Sequence, residues 1–282
     1  MAGKQVNELE VLPSFTDTSL VPVHNGAGLK KGSLTQLANY LGTKFSNPNL
    51  LINPDFKINQ RGATSYEKQG YSVDRWKILN VTVTPSASGG ITVKNDKYED
   101  TGTFIQISEN ATEGDSTLSC YVESVSGTVT MVADDDSQVI LKQGLNIVHT
   151  SRGTKNFTIF LNQGTSITLK WVKLEQGTVA TSFIAPNPAE ELVKCKRYYD
   201  FSSLHFYGVC NSNGSLIEDL VLYRHFRTSP TFSTNATYSK NVTVSTLTLK
   251  GSNDGGYYLY VRTPTSGTYE LDLTIKADAE IY

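Results

Sequence analysis

Two periods of hydrophobic spacing divide this chain. From about residue 49 onward, apolar residues come in short runs rich in Val, Ile, Thr and Tyr, many alternating with polar positions and bounded by Gly, Asn, Asp or Ser. The runs are VDRWKILNVTVTP, GGITVKND, FIQISEN, TLSCYVES, GTVTMVADD, SQVILKQG, LNIVHTS, NFTIFLNQG and SITLKWVKLEQG. Alternation of this kind predicts half-buried strands, and its density predicts an all-β sandwich or jelly roll over 49–187. The pattern puts Ile159 and Leu161 on one side of a strand, and places Leu169, Trp171 and Val172 near a core. The two prolines of SFIAPNPAEEL interrupt it and suit a linker. After a short helical stretch, AEELVKCKRYYDF, alternation returns in HFYGVCN, EDLVLYRHF, NVTVSTLTLKG, GYYLYVRT and TYELDLTIKADAEIY. It predicts a second, smaller β-sandwich over 188–282. The expected fold class is therefore mainly β.

The first 48 residues obey another rule. A short apolar run, Leu20 to Val23, precedes a turn at His24-Asn25-Gly26. In SLTQLANYLG the residues Leu34, Leu37, Ala38 and Leu41 share one helical face. Ser33 with Gln36 three residues on makes a capping box, and Gly42 sits where a C-cap glycine belongs. One strand–turn–helix unit is too small to hold a core, so it must pack against a partner or a copy of itself.

Composition changes this picture little. Of 282 residues, 38% are hydrophobic and 18% charged, enough for cores of ordinary size; 15 Tyr against 2 Met fits strands better than helices. The net charge of −2 gives no general attraction to nucleic acid or to an anionic membrane. No apolar signal core opens the chain and no run is long enough to span a bilayer, so synthesis in the cytoplasm without membrane insertion is expected. Cys120, Cys195 and Cys210 are too few and too irregular for a disulfide framework. A Cys195–Cys210 bridge and three free thiols both remain open.

Candidate chemistry is sparse. Gly26-Ala27-Gly28 precedes a helix, but Lys31 stands where a dinucleotide loop needs its third glycine. Asp134-Asp135-Asp136 offers clustered oxygens for calcium, yet it falls where a solvated hairpin turn belongs; Glu109, Glu113 and Asp115 read the same way. His24, His149, His205 and His225 lack a second ligand at zinc-site spacing. No nucleophile elbow is present. No catalytic residue, metal or cofactor is expected.

Several phrases resemble those of phage tail and appendage proteins. LINPDFKINQRG followed by DRW resembles the opening of a jelly-roll module common in phage tail proteins. WVKLEQGTVATSF with EELVKCKRYY resembles its closing strand and following helix. RTSPTF and the terminal ADAEI resemble the C-terminal β-domain that often follows. LPSFTDTSLVPVHNGAGLKKGSLTQLANYL looks like a short virion-anchoring element. The resemblance implies an oligomeric, typically homotrimeric, fibre-like protein of the virion. Residues 1–48 would bind other virion proteins, and the distal β-domains would face a host-surface glycan or protein. A head, collar or baseplate decoration with no receptor is the alternative, and an enzyme acting on surface polysaccharide a second.

Within this frame, exposed aromatic rings are the best ligand candidates, because sugars present C–H faces that stack on them. In the run Gly255 to Val261, alternation puts Tyr257, Leu259 and Val261 on one face. Tyr258 and Tyr260 take the other: they are the candidate ligand-binding pair, and the alternative is that their rings pack between subunits of an oligomer or cover the core edge. Trp76 and Trp171 lie inside strand runs and are expected in the core. Tyr198 and Tyr199 are expected at the junction of the two β-domains.

Overall fold

The computed structural model describes residues 19–24, 27–42, 44–211, 216–223, 226–251 and 256–281. Asn25 and Gly26 of the expected first turn, and everything before Ser19, lie outside them. The chain is mainly β. The N-terminal unit is an antiparallel hairpin, β1 (Leu20–His24) against β2 (Leu29–Ser33), followed by helix α1 (Leu34–Gly42). The capping box forms reciprocally: Ser33 N donates to Gln36 Oε1 at 2.9 Å, and Gln36 N to Ser33 Oγ at 3.1 Å. Gly42 serves another purpose than expected. It is the last helical residue rather than a left-handed cap, and a Cβ there would lie 2.8 Å from Val179 Cγ1. Its smallness admits the segment that packs across it.

The central region is a jelly-roll-like sandwich. Its strands are β3 (Tyr66–Tyr71), β4 (Lys77–Pro85), β5 (Ile91–Asn95), β6 (Gly102–Ile107), β7 (Ser116–Ser126), β8 (Val129–Val132), β9 (Gln138–Ile140), β10 (Gly144–Thr150), β11 (Asn156–Leu161) and β12 (Thr165–Gln176). They pair antiparallel in the order β10-β7-β12-β5-β4-β6-β11-β8-β9, with β3 added to β4. Strand β4 makes the corner. Residues 77–79 pair with β6, while residues 82–85 pair with β5. Between them Asn80 takes φ +53°, and a Cβ on Gly102 would come within 2.6 Å of the Asn80 carbonyl. The strand thus passes from one layer to the other, and the two layers close over one core. Trp76, fully buried as expected, stacks on Phe104 at 4.7 Å and meets Phe157 edge-on at 5.9 Å. Its Nε1 donates to Asn53 O at 3.0 Å, which satisfies the one polar atom of the ring.

The C-terminal region opens with α2 (Pro188–Lys196). Asn187 caps it by accepting from Ala189 N at 2.9 Å, and Pro188 occupies the first turn, where its missing N–H is harmless. Strands β13 (Tyr199–Cys210), β14 (Leu216–Tyr223), β15 (Thr231–Lys240), β16 (Thr243–Gly251), β17 (Gly256–Arg262) and β18 (Gly267–Asp278) form two three-stranded antiparallel sheets, β13-β18-β15 and β14-β17-β16. Among the described residues, the fully buried apolar cluster here has only Leu259, Leu271, Leu273 and Ile275. The jelly roll's cluster has twenty-five members, and the C-terminal region is anchored to it. All three cysteines are free and buried, which closes the Cys195–Cys210 question in favour of thiols. Burial pushes the Cys120 thiol up to about 12 and Cys195 upward as well.

The anchorage is a buried polar joint, where LINPDFKINQRG, DRW, EELVKCKRYY and ADAEI meet. Arg75 Nη1 contacts Glu280 Oε2 at 2.5 Å, with both side chains essentially inaccessible to water. The Arg75 guanidinium also lies 3.6 Å from the Tyr198 ring centre, and Nη2 donates to Ile107 O at 2.6 Å. Arg61 lies 3.9 Å from the Tyr199 ring and 3.3 Å from Glu280 Oε1. Gln60 donates to both Asp74 carboxylate oxygens and to Tyr199 O. Asn53 N donates to Glu191 Oε1 at 2.6 Å. Arg227 grips the segment after β18 through Ala279 O and Glu280 O, while Ala279 N donates to Tyr198 O at 2.7 Å. Burial raises the Asp74 carboxyl against the opposing effect of Gln60. Burial and the Glu280 charge push the Tyr71 hydroxyl up to about 12. Tyr198 and Tyr199 therefore sit where expected, each covered by an arginine.

Candidate functional site: an aromatic cleft on the jelly roll

The sequence pattern misplaces one tryptophan, and the misplacement creates the site. Strict alternation along β12 would carry Trp171 inward after Ile167 and Leu169. A β-bulge intervenes instead: Leu169 pairs with Val122 and Trp171 with Tyr121, leaving Lys170 as the extra residue. Leu169 and Val172 are buried as expected, but Trp171 turns to the outer face and is only half-buried. Its indole stacks on Phe183 with ring centres 4.7 Å apart and planes within 2°. Tyr121 lies 6.2 Å away on the neighbouring strand.

Phe183 arrives on the supposed linker, which is fastened to the sheet over residues 178–183. Lys173 and Glu175, fully buried on the outer face of β12, pair at 3.2 Å. Lys173 Nζ donates to Thr181 Oγ1 at 2.6 Å and Ser182 O at 3.1 Å, and Thr181 N donates to Glu175 Oε1 at 2.9 Å. Ser182 N donates to Gly42 O at 3.1 Å, which ties the end of α1 to the same place. A buried ion pair with its remaining donors and acceptors satisfied holds the strap, and the strap positions the ring.

The Trp171–Phe183 stack forms a wall between two depressions. One, of about 360 Å³, is lined by Ser119, Tyr121, Leu145 and strap residues 180–183. The other, of about 550 Å³, has a polar floor and rim made of Asp55, Lys57, Ser88, Glu123 and Lys170. Asp55 Oδ2 pairs with Lys57 Nζ at 2.7 Å at its base. The β4–β5 turn closes one side: Gly90, at φ +85°, donates to Asp55 O at 2.9 Å, and any Cβ there would strike Leu169 O. The arrangement sets aromatic carbon beside mixed hydrogen-bond donors and acceptors, the usual lining of a small-molecule site. The bulge turns Trp171 outward and the strap brings Phe183 to it; a tryptophan among three charged residues in KWVKLE was the available sequence signal.

The expected pair Tyr258 and Tyr260 lies elsewhere, on β17. Leu259 and Val261 are buried, which leaves Tyr260 half-buried on the opposite face. The backbone of Tyr258 pairs with Leu220 and Lys250; its side chain lies outside the described atoms. The acidic run behaves as a turn. Asp134 accepts from Lys155 N, Asn156 N and Asn156 Nδ2, and Asp135 accepts from Ser137 N and Ser151 N. Side-chain hydrogen bonds hold the Asp135 carboxyl down at about 2. These two carboxylates tie the neighbouring loops together. His149 bonds Thr117 Oγ1, and His205 bonds Asp272; the His24 side chain and His225 lie outside the described residues.

No family model and no curated protein matches this sequence. Among solved structures, a mutant of the family 29 carbohydrate-binding module CBM29-2 shares 11% identity over 44% of this chain and 100% of that one, with a TM-score of 0.29. Discoidin II of Dictyostelium discoideum shares 12% identity over 70% of this chain and 84% of that one, with a TM-score of 0.22. Likenesses this weak say nothing about what this chain binds.

Proposed function

We propose that this chain is a phage virion appendage subunit, of the tail-fibre or receptor-binding type, that recognises a host-surface glycan and performs no chemistry on it. The observation that carries the recognition is the cleft beside Trp171, with its aromatic wall and its Asp55–Lys57 floor. The resemblance of the phrases now found in the buried joint supports the virion setting. In this reading residues 1–48 attach to the particle, the protein works as a homotrimer, and Tyr258 with Tyr260 supplies a distal contact. Each site binds weakly, and linked copies make the binding useful.

Binding of the purified protein to an array of host-surface polysaccharide fragments tests it. Trp171→Ala should weaken binding about tenfold or more, as loss of one buried aromatic anchor does. The pair Tyr258→Ala with Tyr260→Ala tests the distal contact separately. Wild-type protein that binds no fragment, or a Trp171→Ala variant that binds as well as wild type, would sink the reading.

A further inference from the structure

The cleft beside Trp171 is held from outside the jelly roll by two routes, and both lead to α2. The first runs through the floor. Asp55 and Lys57 belong to a loop, residues 53–58, that the Asn53 side chain closes: Oδ1 accepts from Ile58 N at 2.9 Å and Nδ2 donates to Ile58 O at 2.8 Å. Phe56 of this loop is buried 5.2 Å from Trp76, while Asp55 and Lys57 line the cleft. The loop joins the rest of the cleft through two carbonyls. Val172 N, next to Trp171, donates to Pro54 O, and Gly90 N donates to Asp55 O, both at 2.9 Å. Asn53, at φ +54°, gives its own N–H to Glu191 of α2 at 2.6 Å.

The second route runs through the wall. Phe183 and Ala185 line the cleft, and the same stretch of chain becomes α2 at Pro188. Glu191 and Cys195, one turn apart, are the buried residues of this helix. Glu191 keeps its second oxygen on Lys194 at 2.9 Å, so one oxygen remains committed to Asn53. Both members of that bond are buried, and a buried N–H that loses its acceptor costs more than the bond itself is worth. Beyond the helix, Ala279 N donates to Tyr198 O, which ties α2 to the smaller sandwich. We propose that α2 clamps the cleft, with Glu191 as the positioning residue for its floor, so that docking of the C-terminal region regulates ligand binding on the jelly roll. Linkage is reciprocal: a ligand in the cleft strengthens that docking by the same factor. The inference rests on the ligand-binding reading above and adds the regulation of that site.

Amide hydrogen exchange of the full chain, read residue by residue by NMR, tests the clamp without any ligand. In Glu191→Ala the amides of Gly90 and Val172 should exchange at least about fivefold faster, the scale of one lost buried hydrogen bond, while those of β6 and β11 keep their wild-type rates. Trp76 is fully buried, so acrylamide reads mainly Trp171, and its quenching should rise as Phe183 leaves the ring. Glu191→Gln still offers Asn53 N an acceptor and should restore both readings. Should the Ala variant not fold, Glu191→Leu fills the same space without an acceptor and serves in its place. The proposal falls if Gly90 and Val172 stay protected, if quenching is unchanged, if β6 and β11 loosen equally, or if Gln does not rescue. Polysaccharide fragments retained by wild type should bind Glu191→Ala at least about fivefold more weakly, and equal binding overturns the regulation. If wild type retains no fragment while the ligand-free readings change, the binding reading fails and the clamp stands. If fragments bind and those readings do not change, the clamp alone is wrong.

Discussion

The joint between the two sandwiches makes a sharp prediction at Glu280. Glu280→Gln keeps the shape of the side chain and removes its charge, which leaves the Arg75 guanidinium buried without its direct ion-pair partner. Both side chains of the native pair are nearly inaccessible, at 1% and 0% exposure, so solvent cannot take over the lost role. Breaking such a pair costs about 3–5 kcal/mol. Arg75 keeps Ile107 O at 2.6 Å and the Tyr198 ring at 3.6 Å, which favours the lower end of that range. A chain of this length unfolding in one step has a transition entropy of roughly 0.6 kcal/mol per degree, so the melting temperature should fall by about 5–8 °C. Thermal melts followed by circular dichroism read the shift, and limited proteolysis around residues 184–190 reports whether the smaller sandwich has come loose. The companion variant Arg75→Met with Glu280→Leu removes both charges and should recover most of the loss, since a buried pair replaced by apolar groups is often neutral. A Glu280→Gln protein within about 1 kcal/mol of wild type would refute the reasoning, as would a double variant whose cost is the sum of the singles.

Two further outcomes follow from the geometry. Lys173→Ala should strand the Glu175 carboxylate beneath the strap, destabilise the jelly roll by about 3 kcal/mol or more, and expose residues 178–183 to protease; a strap that stays resistant would show that Lys173 does not hold it. The hydrogen bond from His205 Nδ1 to Asp272 at 2.6 Å raises the imidazole above its ordinary value. The folded-state value exceeds the unfolded one, so the stabilisation from this exposed pair is fully present below about pH 6.5 and is lost as pH rises through the raised value. In an NMR titration, Asp272→Asn should return His205 toward about 6.5; an unchanged titration would dismiss the pair.

How legible these features were differs by feature, for physical reasons. Phase along a strand can be read until a bulge occurs. On β11, Ile159 and Leu161 are buried as the alternation says. On β12 the same logic holds through Leu169 and fails one turn of the pleat later, because the extra Lys170 flips the register of Trp171. The capping box around Ser33 and Gln36 was legible because its partners lie three residues apart. The joint was not, because its ion pair spans residues 75 and 280 and its hydrogen bonds link residue 53 to 191 and residue 60 to 199.

The sequence by itself determined that this is a mainly β protein, with a small helix-bearing unit first. Those properties live in local periodicity, turn chemistry and short-range hydrogen bonds, which neighbouring residues settle among themselves. The tertiary structure alone decided where the phrases go and what they do. It gathered Asn53, Gln60, Arg61, Asp74, Arg75, Glu191 and Glu280 into one buried joint, and it left Trp171 outside. A buried charge must find its partner wherever the chain brings one, and a bulge in one strand can be placed only against its neighbour.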